Sequence, residues 1–258
     1  MNKIHPSSII DRDAIIGEDC EIGPFCIVGK GVKLGNGNVL RSHVVMEGIA
    51  EIGAGNIFYS GCAIGTPPQD LKYAGEPTKL MMGDNNVVRE CVSINRGTVG
   101  GGGITSIGSN CLFMLSSHVA HDCHLGDEVV MANCATLAGH VTVGSYSVIG
   151  GLTPVHQFVK IGEHAFIGGA TRVSQDIVPY IKMGGIPPTL MGANSIGLAR
   201  RGFTEEQLKT IDKVFRILFK SGLNTTQALQ EIEKKIEPSK EATKIVEFIK
   251  ASKRGIQK

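Results

Sequence analysis

A histidine followed directly by an aspartate, His121 and Asp122, is the pair in this chain whose side chains are best suited to proton transfer. A carboxylate that accepts a hydrogen bond from one imidazole nitrogen holds the ring in the tautomer whose other nitrogen can take a proton. Such a ring can act as a general base near neutral pH. The alternative for any single histidine is a solvated or hydrogen-bonded turn residue.

Further polar residues follow this pair at intervals of about 18 positions: His140 comes next, and then His156 and Gln157. Gly139 stands beside His140, and its backbone N–H could stabilise an oxyanion, although a turn can equally require a glycine. These intervals predict one cluster if the chain returns to the same edge of the molecule with the same period.

The histidines could instead bind a metal. His118, His121 and either His140 or His156 could supply three imidazoles to zinc. His118 and His121 fall on different repeats with a turn between them, which does not favour joint coordination. We therefore predict no metal site.

Two adjacent arginines, Arg200 and Arg201, form a second candidate site, because paired guanidinium groups suit bidentate binding of a diphosphate. The alternative is a solvated approach to a helix. Residues 1–194 contain 12 basic and 16 acidic side chains, whereas residues 195–258 contain 14 basic and 8 acidic ones. The basic C-terminal part predicts an acidic partner. Nucleic acid is not favoured, because no array of base-stacking aromatic residues accompanies the charge.

A period of six residues indicates the elements that must position these side chains. A large aliphatic residue, methionine or phenylalanine recurs at every sixth position from Ile4 to Ile64 and again from Ile107 to Val173. A small residue usually stands four positions after the large one. Each hexad predicts a short strand and a turn, and three hexads predict one triangular coil of about 18 residues.

Stacked coils convert this spacing into geometry. Neighbouring strands lie ~4.8 Å apart, so His121, His140 and Gln157 would fall within ~10 Å at one edge of the prism. We therefore predict a mainly β protein, with a parallel β-helix of hexapeptide repeats over residues 1–194.

The repeat is interrupted twice, near residues 65–81 and 99–106. Insertions in a solenoid leave the stack as loops, commonly on a binding face. The first interruption carries the polar residues Gln69, Asp70 and Lys72. Both are therefore predicted to contribute to a binding surface.

The pattern changes to a helical one near residue 195, which predicts a small α-helical domain over residues 195–258. A capping-box signature at Thr204 to Gln207 precedes an apolar stripe at helical spacing. Two further helices are predicted after Asn224 and after Ser239.

Composition limits the class of protein. The chain has 258 residues, 42% of them hydrophobic and 19% charged, which is typical of a globular protein. It contains no apolar run of ~18 residues and no apolar segment near its start of the kind found in secretory signals, so we predict a cytoplasmic protein without an integral membrane segment. Five of the seven cysteines occupy the small position of a hexad, which predicts reduced thiols in the core: Cys20, Cys26, Cys62, Cys111 and Cys123.

Five segments together resemble the motifs of the UDP-N-acetylglucosamine acyltransferases, a family of hexapeptide-repeat acyltransferases. The segments are Gln69 to Thr78, His118 to Cys123, Leu137 to Val141, Val155 to Phe158 and Arg200 to Phe203. The resemblance covers nearly the whole chain. It implies a left-handed helix, although the general preference for right-handed crossovers argues the other way.

The resemblance also implies a homotrimer with active sites in clefts between neighbouring chains. An R-3-hydroxyacyl group would pass from acyl carrier protein, where phosphopantetheine carries it, to the 3-hydroxyl of UDP-N-acetylglucosamine in the first step of lipid A synthesis. No further cofactor is implied. His121 would be the general base, oriented by Asp122, and the Gly139 N–H would hold the oxyanion.

The family pattern implies binding roles for further residues. Contacts with the sugar, phosphate or acyl end would come from Asp70, Lys72, His118, His140 and Gln157, and nucleotide contacts from Asn194 and Arg201. Gln69, His156 and Arg200 belong to the same motifs. Gly169 matches a position that limits acyl length, and its lack of a side chain predicts a preference for a chain of about fourteen carbons.

Two positions depart from the family pattern: Ile196 stands where a glutamate is usual, and Pro187 where a histidine is usual. These departures bear on the nucleotide contacts and on the exact acyl-chain length. Three alternatives stay open on other grounds. They are a 3-amino UDP-sugar as acceptor, the later N-acyltransferase of the same pathway, and a zinc enzyme like the γ-class carbonic anhydrases. The hexads begin at Ile4, which does not favour the N-acyltransferase, because that enzyme usually carries an additional domain before the repeats.

Overall fold

Each hexad forms a short strand and a turn, and every third strand pairs in parallel with its predecessor. In this computed structural model of residues 1–258, for example, His118 pairs with Thr136 and Val119 with Leu137. The strands build three parallel sheets, which form the three faces of a prism. The mainly β, left-handed parallel β-helix predicted above is confirmed.

The strands are short on every face. The first face contains Lys3–Ile4, Glu21–Ile22, Val39–Leu40, Ile57–Phe58, Val87–Val88, Leu112–Phe113, Val130–Met131, Val148–Ile149, Phe166–Ile167, Ile181–Gly184 and the antiparallel Thr189–Ala193. The second face contains Ile9–Ile10, Ile27–Val28, Val45–Met46, Ala63–Thr66, Ser93–Asn95, His118–Val119, Thr136–Leu137 and Pro154–Val155. The third face contains Ile15–Ile16, Val32–Leu34, Ile49–Ile52, Lys79–Met82, Ile104–Ile107, His124–Leu125, Thr142–Val143 and Lys160–Ile161.

The turns between the three faces form three corners of the prism, corners I, II and III. Corner I joins the second face to the third and comprises residues 120–123, 138–141 and 156–159. Corner II joins the third face to the first and comprises residues 126–129, 144–147 and 162–165. Corner III joins the first face to the second and comprises residues 114–117, 132–135, 150–153 and 168–171.

The corners hold residues other than glycine in the left-handed backbone region. Seventeen such residues have φ between 54° and 67°, among them Asp122, His140 and Phe158. They stand at the fourth position of a hexad, where the chain must change direction within a few residues. Because the same turn recurs in every coil, side chains at equivalent positions stack along a corner.

The large first residue and the small fifth residue of each hexad point inward and fill the core. The five cysteines assigned to the small position are buried, as predicted. In three coils this position holds Asn38, Asn56 and Asn86, whose amides form a ladder with Nδ2 to Oδ1 distances of 3.0 and 2.9 Å. A buried polar ladder is tolerated here because each amide finds a partner.

Both interruptions of the repeat leave the prism at corner I. The segments without strand are residues 67–78 and 96–103, and the second contains a 3₁₀ turn at Val99–Gly101. Each connects a strand of the second face to a strand of the third. Strands Lys79–Met82 and Ile104–Ile107 begin inside the intervals in which loops were expected. The two loops therefore leave corner I in the two coils that precede the coil of His121.

Four helices follow the prism: α1 (Ser195–Arg200), α2 (Glu205–Lys220), α3 (Thr225–Lys235) and α4 (Lys240–Ala251). Thr204 and Gln207 form the predicted capping box of α2, and Asn224 and Ser239 cap α3 and α4. The short helix α1 was not predicted, since its apolar residues are too few for a periodic pattern. None of the helices combines the length and apolar character needed to cross a membrane.

Candidate active site

His121 and Asp122 form a hydrogen-bonded pair at corner I. The Nδ1 atom of His121 lies 2.8 Å from Oδ2 of Asp122. The carboxylate is fully buried, while 14% of the imidazole side chain is exposed. An ionised carboxylate can only accept, so Nδ1 donates the hydrogen and Nε2 is left as an acceptor. This is the arrangement that a general base requires.

The glycine-rich second loop holds Asp122 in place. The backbone N–H of Thr98 donates to Oδ1 at 2.8 Å, and its hydroxyl donates to Oδ2 at 2.6 Å. The Asp122 N–H in turn donates to the hydroxyl of Thr105 at 2.8 Å. Asp122 thus accepts three hydrogen bonds, which restrict the carboxylate to one orientation under the imidazole.

Two glycines give this pair the space that it occupies. A Cβ atom on Gly139 would lie 2.6 Å from Cε1 and 2.8 Å from Nε2 of His121, and one on Gly101 would lie 2.0 Å from Cγ of Asp122. Gly139 is therefore required beside the ring, whereas the positive φ of this turn falls on His140. Gly139 is buried, and its N–H donates to no group of the chain.

His140 extends the cluster along corner I. Its Nδ1 lies 3.8 Å from Oδ2 of Asp122, its ring meets His121 edge to face at 5.1 Å, and it stacks on Phe158 at 4.4 Å. Burial lowers the pKa of His140, and the charges of Asp122 and Asp70 oppose this effect. Asp70 in the first loop is thus linked to this cluster by its charge.

The remaining predicted residues of this region lie on the second face, in the next coil of corner I and on the first loop. His118 is half-buried on the second face, with Nδ1 2.8 Å from the hydroxyl of Ser93, and burial lowers its pKa. His156 and Gln157 are exposed in the next coil. The Nδ1 atom of His156 lies 3.1 Å from the Gln157 carbonyl oxygen. Gln69 and Lys72 are exposed on the first loop, beside the half-buried Asp70.

The structure does not gather the three imidazoles considered as zinc ligands. The cluster whose possible ligand atoms lie within 4.8 Å of one another consists of His121, Asp122 and His140. His118 and His156 are outside it. Asp122 already accepts three hydrogen bonds and His121 Nδ1 is already used, so these side chains are occupied with one another.

Asn194, Arg200 and Arg201 line one cavity of about 270 Å³ at corner II. The guanidinium of Arg201 pairs with Glu128 and lies 4.8 Å over the ring of Tyr146. The Nδ2 atom of Asn194 donates to the carbonyl oxygen of His164 at 2.9 Å. Two arginines in a concave site are suited to a phosphate-bearing ligand.

Sequence reasoning missed several residues of this cavity, namely Tyr146, His164, Phe166 and Lys182. His164 stacks on Tyr146 at 4.6 Å, and burial lowers its pKa. Tyr146 and His164 both occupy the fourth position of a hexad, 18 residues apart, so the repeat could have paired them. Ile196 lines the same cavity with 68% of its surface exposed.

Gly169 lies at corner III, where a Cβ atom would come within 3.1 Å of the Gly151 carbonyl oxygen. Pro187 lies in the turn between the last two strands of the first face. The predicted site residues of one chain are therefore distributed over three corners: the histidines at corner I, the arginines at corner II and Gly169 at corner III.

The prism of hexads, the interrupting loops at corner I and the His121–Asp122 pair define the class of hexapeptide-repeat acyltransferases. A family model described as bacterial transferase hexapeptide, six repeats, matches residues 13–48. A second model, described as UDP N-acetylglucosamine O-acyltransferase, domain 2, matches residues 176–257.

Solved structures give the same result over the whole chain. The chain is similar to the UDP-N-acetylglucosamine acyltransferase LpxA of Bacteroides fragilis, with 40% identity, a TM-score of 0.96 and coverage of 99% of this chain and 100% of that one. For LpxA of Moraxella catarrhalis the identity is 42%, the TM-score 0.95 and the coverage 99% of each chain. LpxA of Acinetobacter baumannii matches at 40% identity, a TM-score of 0.96 and 99% of each chain. The chain belongs to the UDP-N-acetylglucosamine O-acyltransferase family, and it is an acyltransferase.

Proposed function

We propose that this enzyme transfers an R-3-hydroxyacyl group from acyl carrier protein to the 3-hydroxyl of UDP-N-acetylglucosamine, as the first step of lipid A synthesis. The observation that carries the proposal is the His121–Asp122 pair, whose Nδ1 to Oδ2 distance is 2.8 Å, in a chain of this family. The pair leaves one imidazole nitrogen free at the corner from which the two loops also emerge.

The proposed reaction is a direct transfer. The Nε2 atom of His121 takes the proton of the sugar hydroxyl as the hydroxyl oxygen attacks the thioester carbonyl. The C–O bond forms, the C–S bond breaks, and the thiolate of phosphopantetheine takes the proton back from the imidazolium. Asp122 holds the ring in the required tautomer and stabilises its charged form. A cysteine nucleophile and a metal ion are not part of this mechanism.

The free N–H of Gly139 is proposed to stabilise the oxyanion of the tetrahedral intermediate. It adjoins the His121 ring, so a carbonyl attacked beside Nε2 would lie within its reach. One such donor typically contributes about 10²- to 10³-fold in rate. Because the donor is a backbone group held by the turn of corner I, it needs no reorganisation during the reaction.

Binding of the acceptor is proposed to involve two regions. Contacts with the sugar, phosphate or acyl end would come from Asp70, Lys72, His118, His140 and Gln157, and Gln69 and His156 would belong to the same surface. Asn194, Arg200 and Arg201 would bind the nucleotide. The corner II cavity supports this role by its two arginines and its stacked aromatic rings.

A homotrimer would bring these regions together. In one chain they lie at different corners, so a complete site requires corner I of one chain to face corner II or III of another. The first face supports such packing by a row of half-buried apolar side chains that point outward: Val39, Ile57, Val87, Leu112, Val130, Val148 and Phe166. An apolar row of this length on a face of the prism is typical of a subunit interface.

Acyl carrier protein is proposed to bind near the helical domain, where residues 195–258 carry 14 basic and 8 acidic side chains. An acidic carrier would be attracted to this surface, and the attraction would weaken with salt. A cytoplasmic location follows from the proposed donor and acceptor.

Replacement of the proposed base tests this function. The unmodified protein is expected to acylate UDP-N-acetylglucosamine from 3-hydroxyacyl carrier protein, and His121→Ala is expected to remain folded and lose about 10²- to 10⁴-fold in kcat. Comparable rates in the two proteins would remove His121 as the base. An assay with the 3-amino UDP-sugar tests the alternative acceptor. About one zinc ion per chain in the purified protein would favour the zinc enzyme like the γ-class carbonic anhydrases.

A further inference from the structure

The first loop, residues 67–78, is attached to the second loop through one arginine side chain. The Arg96 guanidinium donates from Nε and Nη2 to the hydroxyl of Tyr73 at 3.1 and 3.0 Å. Its Nη1 donates to the carbonyl oxygen of Gly65 at 2.7 Å. Arg96 stands at the start of the second loop. Its side chain therefore links the middle of the first loop to the residues at which both loops leave the prism.

The guanidinium occupies a space that the chain leaves for it. A Cβ atom on Gly48 would lie 2.6 Å from Nη1 of Arg96. The guanidinium also lies 5.5 Å from the centre of the Tyr73 ring, close enough for a cation–π contribution. Its planar set of donors serves two acceptors at once, which a lysine ammonium could not reproduce with the same geometry.

The loop transmits this attachment to Asp70. The Tyr73 hydroxyl donates to the carbonyl oxygen of Glu76 at 2.8 Å, and the Tyr73 N–H donates to the carbonyl oxygen of Asp70 at 3.0 Å. The Asp70 carboxylate in turn accepts from the Lys72 N–H at 3.0 Å. The position of Asp70 therefore follows that of Tyr73.

We propose that Arg96 is a positioning residue that holds the loop of residues 67–78 at corner I and thereby fixes the position of Asp70. Arg96 does not touch the reacting atoms in this scheme. Its effect falls on binding of the sugar nucleotide, because Asp70 and Lys72 would otherwise adopt many positions. The inference rests on the proposed function, which assigns Asp70 to the acceptor.

Kinetics and proteolysis together test this role. Arg96→Gln and the milder Tyr73→Phe are expected to raise KM for UDP-N-acetylglucosamine about tenfold while kcat falls less than about threefold, since chemistry at His121 is unaffected. In a double-mutant cycle, Arg96→Gln should add little to Asp70→Asn, because both act through the same carboxylate. Arg89→Gln is the matched control. Arg89 also lies over a tyrosine ring, that of Tyr59 at 4.3 Å, but away from both loops.

Proteolysis gives a measurement that does not depend on activity, because Lys72 is exposed within the loop. Trypsin should cleave after Lys72 about tenfold faster in Arg96→Gln and Tyr73→Phe than in the unmodified protein or in Arg89→Gln, with the thermal midpoint nearly unchanged. Mass spectrometry identifies the fragments 1–72 and 73–258.

Unchanged KM and unchanged cleavage in both variants would overturn the proposal, as would a loss confined to kcat. An unmodified protein that transfers no acyl group would instead contradict the proposed function, and the proteolysis would still decide whether Arg96 holds the loop.

Discussion

Thr98 donates two hydrogen bonds to Asp122, one from its backbone N–H at 2.8 Å and one from its hydroxyl at 2.6 Å. The two residues are 24 positions apart in the chain and meet because the second loop leaves the prism at corner I. Through this contact a loop that interrupts the repeat fixes the carboxylate that orients His121.

Thr98→Val should lower kcat about tenfold while leaving KM for the acceptor nearly unchanged. The substitution keeps the side-chain shape and the backbone donor but removes the hydroxyl, so Asp122 holds His121 less firmly. Steady-state kinetics measure the effect. Thr142→Val on the third face is the control, since Thr142 is exposed there. Equal rates for both variants would show that the hydroxyl has no part in orienting the pair.

Gly139→Ala should lower kcat about a hundredfold. The added methyl group would lie 2.6 Å from Cε1 of His121, so the ring must move away from the acceptor hydroxyl. Gly100→Ala is the matched control, because a Cβ atom there meets nothing within 4 Å. A Gly139→Ala enzyme with the activity of the control would contradict the placement of His121 beside this glycine.

Asp70→Asn should lower the pKa of His140. Burial already lowers this pKa, and the negative charge of Asp70 opposes that effect by stabilising the imidazolium. Removal of the charge therefore moves the titration of the ring to lower pH. NMR titration of the His140 ring protons in the two proteins measures the change. A midpoint that stays the same or rises would show that Asp70 does not act on His140.

The protein should lose stability as the pH falls from about 7.5 to about 5.5, in part through His164. Burial lowers the pKa of His164 in the folded state, so the unfolded chain, with a histidine pKa near 6.5, binds a proton that the folded chain does not. The contribution of neutral His164 to stability is therefore present above the unfolded-state pKa of about 6.5 and is lost as the pH falls below it. His164→Gln should show a smaller fall in thermal midpoint over this interval. An equal fall would assign the effect to other groups.

The enzyme should transfer a fourteen-carbon acyl group faster than a ten-carbon one. The family resemblance assigns Gly169 to the position that limits acyl length, a glycine adds no side chain there, and each buried methylene contributes ~0.8 kcal/mol. Gly169→Leu should reverse this order. Competition between the two acyl carrier proteins, followed by mass spectrometry of the product, measures the preference. Equal or faster transfer of the ten-carbon group by the unmodified enzyme would contradict the assignment.

The hexad repeat and the helical pattern could be recognised in the sequence because both are local periodicities. The inward residues recur every six positions, and the capping box of α2 lies within Thr204 to Gln207. The repeat also predicted His121, His140 and Gln157 in successive coils, because a period of 18 residues converts position in the chain into position on the prism.

The contacts that complete the site join segments with no fixed spacing. Thr98 reaches Asp122 and Arg96 reaches Tyr73 from the second loop, and Arg201 pairs with Glu128 from the helical domain, 73 residues away. Loop paths depend on side-chain packing and turn geometry, which no period encodes.

The sequence by itself therefore determined the β-helix, the helical domain and the residues that stack along corner I, because these follow from short-range repetition and backbone hydrogen bonding. The tertiary structure was needed to show which groups orient Asp122 and which cavity Arg200 and Arg201 share. It was also needed to show that the predicted site residues of one chain lie at separate corners. These features depend on distances between segments far apart in the chain, and such distances are set only when the whole prism has formed.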